Sequence, residues 1–308
     1  MAPSTTALRR AVLSFGRSGL RAFPWRETRD PWAVLVSEVM LQQTSPGRVL
    51  EPYRRFLSSF PTVRACAAAS PGDVLRAWTG LGYNRRAVFL RRSAVLVTER
   101  HGGTVPSDLD ALTALPGVGP YTARAVLAFA FEQPVAVVDT NAARVLARAV
   151  AGRPLGRRET QSLADSLVPP AQAWAWNQTM LDLGATVCRS KQPKCAACPL
   201  GPNAGGPRTL CAWARVGGPD PAVGTAGTSR PQSTFVGSDR QGRGRLLATL
   251  VARSGTDGDD AGPIPVAADA IAGAAGWPED GPRAAAVARS LVADGLAVVA
   301  ADGTLQLP

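Results

Sequence analysis

The chain has a single histidine, His101, and no lysine before Lys191. Covalent catalysis through a lysine Schiff base is therefore not available to residues 1–190. His101 lies in ERHGGT, where it reads as a helix C-terminal cap and carries no assigned chemistry. No apolar run approaches the ~20 residues of a membrane span. The opening MAPSTTALRRAVLSF lacks the apolar core and cleavage pattern of a secretory signal. The expectation is a cytoplasmic protein with reduced thiols and no membrane partner. No alternating strand pattern occurs before residue 215, which excludes a β-rich front, and no internal repeat is present.

Cysteine is also scarce, five residues in all, but four are concentrated. Cys188, Cys195, Cys198 and Cys211 follow C-x6-C-x2-C-x12-C. The short Cys195–Cys198 gap suits two ligands on one metal centre. Arg189, Lys191 and Lys194 stand among them and offset thiolate charge. Zinc takes four cysteines, and so does a [4Fe–4S] cluster; spacing does not separate them. Disulfides are the third option, disfavoured in a reducing compartment. Cys66, in RACAAAS, reads as a small core residue.

The net charge is +11. Residues 1–215 hold 27 Lys and Arg against 13 Asp and Glu; residues 216–308 hold 7 against 10. A basic front two thirds attracts polyanions, nucleic acid above all. That region reads as consecutive helices with short Pro- and Gly-marked connections, an all-α class. Residues 216–236 are rich in Gly, Pro, Ser and Thr and read as a flexible linker. Residues 237–308 hold three helical segments, then LAVVAADGTLQLP, a hairpin about Asp302-Gly303. The outline is that of a small winged-helix-like α+β domain.

Two motifs carry chemistry. In DLDALTALPGVGPYTARA, two helices meet at Pro116-Gly117-Val118-Gly119. Glycine permits close backbone approach, Pro120 suits a first helical turn, and the free N–H groups there form an anion site. Such a helix-hairpin-helix grips a DNA phosphate without reading sequence. Separately, Glu38 stands in SEVMLQQT, an apolar helix, and Asp139 in PVAVVDTNAARV. A carboxyl in an apolar helix loses hydration and favours its neutral form, as a general acid requires. Asp139 also fits a helix N-cap, and Glu38 a buried ion pair. Two carboxyls in different environments are the usual means of cleaving a glycosidic bond.

The motifs PWR (24–26), SEVMLQQT (37–44), WTGLGYNRRA (78–87), LPGVGPYTA (115–123), VDTNAARV (138–145) and NQTMLDLGATVC (177–188) together resemble the helix-hairpin-helix DNA glycosylases of the endonuclease III superfamily. The likeness is greatest to the MutY-type adenine DNA glycosylases. It implies a mainly α, two-lobed glycosylase domain over residues 1–215. It also implies that Cys188, Cys195, Cys198 and Cys211 bind a [4Fe–4S] cluster in a loop spanning 188–211. It further implies a monofunctional, monomeric, nucleoid-associated base-excision repair enzyme that hydrolyses the N-glycosidic bond of adenine mispaired with 8-oxoguanine or guanine in double-stranded DNA. Glu38 matches the acid that protonates adenine, and Asp139 the carboxylate that stabilises the sugar cation. Asn141 and Tyr121 match residues supporting that pair. Gln43 and Tyr83 match residues that wedge into the duplex while the base is flipped. Leu81 and Thr44 match positions that meet the opposite base, and Trp25 and Arg26 match residues facing the extruded adenine. Asp182 occupies the acidic position before the cluster. Tyr121 stands where strand-cutting relatives carry lysine, which implies an intact strand with an abasic site.

The chain departs from that pattern in three places. The Cys198–Cys211 gap is longer than the family's usual one. Thr140 stands where glycine is more common, which implies a tighter turn. The Nudix-like domain many members use to recognise 8-oxoguanine is not apparent in residues 216–308. Three rivals follow: a glycosylase of the same superfamily acting on T or U opposite G, a non-catalytic iron–sulfur DNA-binding protein, and a zinc-stabilised module.

Overall fold

A computed structural model of the chain describes residues 4–203, 209–225, 234–253 and 264–308. Part of the Cys198–Cys211 insert and part of the expected linker lie outside them. The described elements are α1 (Thr5–Arg17), α2 (Pro31–Leu41), α3 (Pro46–Ser59), α4 (Val63–Ala68), α5 (Pro71–Ala77), α6 (Arg85–His101), α7 (Leu109–Thr113) and α8 (Pro120–Phe129). They continue with α9 (Thr140–Val145), α10 (Arg157–Leu167), α11 (Ala173–Asp182), α12 (Ala212–Val216), α13 (Asp239–Ala252), α14 (Ile271–Ala275) and α15 (Gly281–Ala293). Strands β1 (Val298–Val299) and β2 (Leu305–Gln306) close the chain. Helices α9 and α11 each run on into a wider π-helical turn, Leu146–Ala151 and Leu183–Val187. Such turns are uncommon and concentrate at functional sites.

The chain divides into two compact units, and both are discontinuous in sequence. One holds residues 1–34, 107–113 and 118–231; the other holds 35–106, 114–117 and 232–308. In the first, Leu8 and Val12 of α1 join Leu146, Leu167, Trp176, Met180 and Leu183 in one core. Every one of these side chains is at most 5 % exposed, and burial of each contributes roughly 1.5–3 kcal/mol. Cys188, Cys198 and Cys211 pack against the same core, so the cysteine loop is anchored by apolar burial on one side.

In the second unit, Phe56 stacks edge-on against Phe60 and Trp78 at 5.0 and 6.0 Å. α5 carries a capping box between Ser70 and Asp73, which satisfies two orphan N–H groups at once. α6 ends on Gly102 at φ 62°, the left-handed stop that glycine permits. His101 is the last residue of α6.

α13, α14, α15 and the β1–β2 hairpin also group with this unit. The hairpin turns as its sequence implies: Asp302 Oδ1 accepts from the Thr304 N–H at 3.0 Å. An isolated bridge from Val266 to Leu305 adds a third short extended segment. Gly72 N–H donates to the Pro308 carbonyl at 2.9 Å, and Arg85 pairs with Asp294 at 3.5 Å. Both contacts tie residues 234–308 onto α5 and α6.

The first part of the stretch read as a linker is held rather than free. Thr225 is buried, and its hydroxyl accepts from the Leu155 N–H at 3.2 Å. Asp220 accepts from Arg148 Nε at 2.7 Å. A Gly- and Pro-rich composition does not foresee these long-range partners.

Candidate active site and cysteine-lined cavity

α2 is apolar almost all the way round, and Trp32 through Met40 are buried, as expected of a helix inside a core. Asp30 caps its start, accepting from the Trp32 and Ala33 N–H groups at 3.1 and 3.3 Å. Glu38 sits in this helix at 5 % exposure. A carboxylate loses more hydration on burial than a neutral side chain does, so a carboxyl kept here carries a stability cost that invites a functional explanation.

The other carboxyl belongs to the other unit. Asp139 caps α9: Oδ1 accepts from the Asn141 and Ala142 N–H groups at 2.8 and 2.7 Å. Its Oδ2 accepts from Asn141 Nδ2 at 2.7 Å. Asn141 Oδ1 in turn accepts from Arg144 Nη2 at 2.7 Å, and Arg144 Nε donates to the Cys188 carbonyl at 2.6 Å. The N-cap reading of Asp139 is thus correct geometrically. It does not displace a chemical role, because the same bonds hold the carboxylate in one orientation. Burial pushes the Asp139 pKa up, against the pull of its N–H donors and of Arg144. Thr140 begins α9 with a helical backbone, which any residue adopts, so glycine is not required. The tight position is instead Gly184, where a Cβ would lie 2.6 Å from Asn141 Cβ and 2.7 Å from its carbonyl oxygen.

Asp182 is buried at 3 % exposure between two arginines. Arg26 binds it through two bonds of 2.8 Å, and Arg21 through Nε at 2.7 Å. These cations, together with the Arg21 N–H, outweigh the desolvation that comes first and hold its carboxyl below the usual range. The Arg26 guanidinium is thereby engaged in an ion pair. Trp25 is buried beside it, with its ring stacked on Phe23 at 4.9 Å. Tyr121 lies half-buried in the first turn of α8.

The hairpin turn between α7 and α8 has the form its sequence implies. Gly117 adopts φ 76°, and a Cβ there would meet Phe89 Cβ at 2.9 Å. Leu115 and Val118 are buried, whereas Gly117, Gly119 and Pro120 are exposed. Pro120 opens α8 directly after the turn, with Gly119 at its N-cap.

Gln43 and Tyr83 occupy two turns of one unit. Both have left-handed backbones, φ 55° and 47°, a conformation uncommon outside glycine. Tyr83 is exposed at 41 %. Thr44 Oγ1 accepts from Arg86 Nη2 at 3.0 Å. Leu81, expected to meet the opposite base, is packed in the core at 2 % exposure.

Cys188, Cys195, Cys198 and Cys211 line one cavity with Arg148, Lys194, Leu200 and Trp213. Gly201 closes it: a Cβ there would lie 2.2 Å from the Cys195 carbonyl. Among the described residues, no three Cys, His, Asp or Glu side chains converge on a single-ion position. Four thiols on a shared wall, with no imidazole or carboxylate among them, suit a soft metal centre, zinc and an iron–sulfur cluster alike. Burial pushes the Cys198 thiol up to about 11. Arg148 Nη1 donates to Cys188 Sγ at 3.5 Å, which eases the cost of thiolate there. Cys66 is fully buried and its thiol is pushed up to about 12 by desolvation, an inert packing residue.

This combination of a glycine hairpin, carboxyl-bearing helices and a four-cysteine loop defines a class. The HhH-GPD superfamily of base excision DNA repair proteins matches over residues 36–170. The adenine DNA glycosylase of Mycobacterium tuberculosis is 40 % identical over 303 residues, covering 96 % of this chain and 92 % of that one. A thymine/uracil-DNA glycosylase of Pyrobaculum aerophilum is 38 % identical over 207 residues, 64 % of this chain and 90 % of that one. Among solved structures, a thermostable thymine-DNA glycosylase superposes with a TM-score of 0.61 at 30 % identity, covering 68 % of this chain and 96 % of that one. The chain belongs to the MutY-type adenine DNA glycosylases of the helix-hairpin-helix superfamily. Among the described residues no helix is long and apolar enough to cross a membrane.

Proposed function

We propose that this enzyme binds double-stranded DNA and hydrolyses the N-glycosidic bond of adenine mispaired with 8-oxoguanine or guanine. The carrying observation is a near-full-length relationship to adenine DNA glycosylases in a chain that retains a buried Glu38 and a network-held Asp139. A stacked base is out of reach of a side chain, so the nucleotide is extruded first, at a cost of about a few kcal/mol. Gln43 and Tyr83 fill the vacated stack, and the 116–119 turn grips the phosphate backbone. Glu38 gives a proton to the adenine ring and so makes it a neutral leaving group. Asp139, ionised and fixed by Asn141, stabilises the cationic sugar that remains. Water completes the hydrolysis. Tyr121 offers no amine for a Schiff base, so the strand stays intact at the abasic site.

The four cysteines are the holders of a [4Fe–4S] cluster in this reading. A bound cluster would supply a sulfur-ligated centre held by Cys188, Cys195, Cys198 and Cys211, near Arg189, Lys191 and Lys194, whose charges suit phosphate contact. Residues 237–308 form a small domain of their own sequence character beside the glycosylase domain.

A second reading rests on the 38 % identity to a thymine/uracil-DNA glycosylase: release of T or U opposite G. One panel separates the two. Duplexes carrying A opposite 8-oxoguanine, A opposite G, T opposite G and U opposite G are incubated with enzyme, and alkali then reveals abasic sites. Cleavage confined to the adenine strands supports the first reading; cleavage confined to T or U strands replaces it.

A further inference from the structure

Arg86 has no role in the chemistry described above, yet its guanidinium is the most heavily engaged group around the proposed wedge. It is 8 % exposed. Nη1 donates to the carbonyls of Val39, Met40 and Gln42 at 2.8, 2.8 and 2.6 Å. Nη2 donates to Thr44 Oγ1 and to the Gly82 carbonyl, both at 3.0 Å. Nε donates to the Tyr83 carbonyl at 3.3 Å. The same cation lies 5.4 Å from the Trp78 ring centre and 5.5 Å from that of Tyr83.

These partners come from three places. Val39 and Met40 are at the C-terminal end of α2, where unpaired carbonyls attract a cation. Gln42 and Thr44 flank Gln43. Gly82 and Tyr83 form the other turn. Gln43 and Tyr83 both hold strained positive φ, and such backbone persists only where its surroundings over-determine it. A planar fork of five N–H donors can meet several fixed carbonyls at once, which a lysine ammonium cannot match. Neighbouring groups restrain the second turn as well: Arg48 Nη2 donates to the Gly80 carbonyl at 2.9 Å, and Arg55 Nη2 to that of Thr79 at 2.8 Å. Arg86 bonds to both turns, to Gln42 and Thr44 in one and to Gly82 and Tyr83 in the other. Burial lowers its pKa to about 10, so it keeps its charge at neutral pH.

We propose that Arg86 is a positioning residue, whose guanidinium locks the Gln43 and Tyr83 turns together in the left-handed backbone that presents both side chains for insertion into the duplex. The proposal rests on the reading of Gln43 and Tyr83 as the wedge. It predicts that Arg86 acts on base extrusion through them and not on bond cleavage directly.

The test is a mutant cycle in single-turnover base release and in the fluorescence of a duplex with 2-aminopurine at the target position. The proteins are wild type, Arg86→Lys, Gln43→Ala/Tyr83→Ala and the triple variant. Arg86→Lys is expected to lower both signals about 10- to 100-fold. In the background lacking both wedge side chains, the same change is expected to cost less than about 3-fold, since coupled residues are non-additive. Equal losses in both backgrounds, or an undiminished 2-aminopurine signal with slow release, would overturn the proposal. If Arg86→Lys does not fold, Thr44→Val removes one acceptor of the same guanidinium. It should give a smaller loss with the same disappearance in the wedge-less background, and equal losses there overturn it too. Gln43→Ala/Tyr83→Ala against wild type tests the underlying wedge reading separately: loss of the 2-aminopurine signal there upholds it and an unchanged signal removes it, so failure of one is not mistaken for failure of the other.

Discussion

Asp139→Asn separates the chemical role of this residue from its role as a helix cap. Asparagine keeps a side-chain oxygen that can accept from the Asn141 and Ala142 N–H groups, so most of the cap on α9 survives; a cap lost to alanine costs about 0.5–2 kcal/mol. The second oxygen is a different matter. It becomes an amide nitrogen facing Asn141 Nδ2, and Asn141 cannot simply rotate its amide, because its oxygen accepts from Arg144. One buried donor is then unsatisfied, at about 1–3 kcal/mol. Removal of a charge whose burial raises its pKa offsets part of this. The net change is therefore a small loss, roughly 2–4 °C in melting temperature for each kcal/mol.

Catalysis responds much more strongly. Removing one preorganised electrostatic group costs about 100- to 1,000-fold, and Asp139→Asn removes a full charge. Single-turnover release of adenine, read by alkaline strand cleavage, should fall at least that far while melting changes by a few degrees. The pH trend carries a sign. A carboxyl with a raised folded-state pKa contributes stability that is present at low pH and is lost as pH rises through that pKa. Wild type should therefore gain stability relative to Asp139→Asn on acidification from neutrality. An Asp139→Asn protein active within about tenfold of wild type, or a wild type that loses ground to it in acid, would refute the assignment.

Glu38→Gln should abolish base release while leaving duplex affinity in a gel-shift titration within about threefold, because the amide is isosteric but has no proton to give. Asp182→Asn leaves Arg26 buried without its counter-charge and should destabilise the fold by about 3–5 kcal/mol in denaturant unfolding. Since the Asp182 carboxyl is held below its usual range, its contribution is present above the unfolded pKa and should fade as pH falls through the folded one. Gly184→Ala drives a methyl into Asn141; it should lower both melting temperature and base release, whereas Gly119→Ala, with open space at its Cβ, should leave melting temperature nearly unchanged. Cys198→Ser should yield protein with less bound iron by metal analysis and a lower melting temperature, since ligand loss forfeits folding free energy.

Much of this molecule is local and therefore legible in one dimension. Apolar periodicity places α2, α3, α6 and α8, because a helix facing a core must repeat its apolar residues. Pro120 and Gly117 announce a turn that other side chains would obstruct, and the four cysteines declare a sulfur-rich site because few other uses bring four thiols so close. Glu38 and Asp139 stand out as acids in apolar surroundings. What the order of residues does not contain is which distant partners meet. Arg86 reads as one basic residue in YNRRA, yet folding gathers six acceptors around it. Leu81 reads by resemblance as a position that meets the opposite base, and folding buries its side chain in the protein without DNA.

The same distinction holds for the domain plan. Composition alone separates an acidic tail from a basic front, because charge and turn content belong to each residue by itself. Only the folded chain decides that residues 232–308 group with 35–106, and that Asp220 and Thr225 anchor a stretch that looks free. Sequence determined the chemistry available at each position through residue type and short-range spacing. Tertiary structure decided orientation and partnership, since hydrogen bonds and ion pairs between residues tens of positions apart exist only once packing has brought them within about 3 Å.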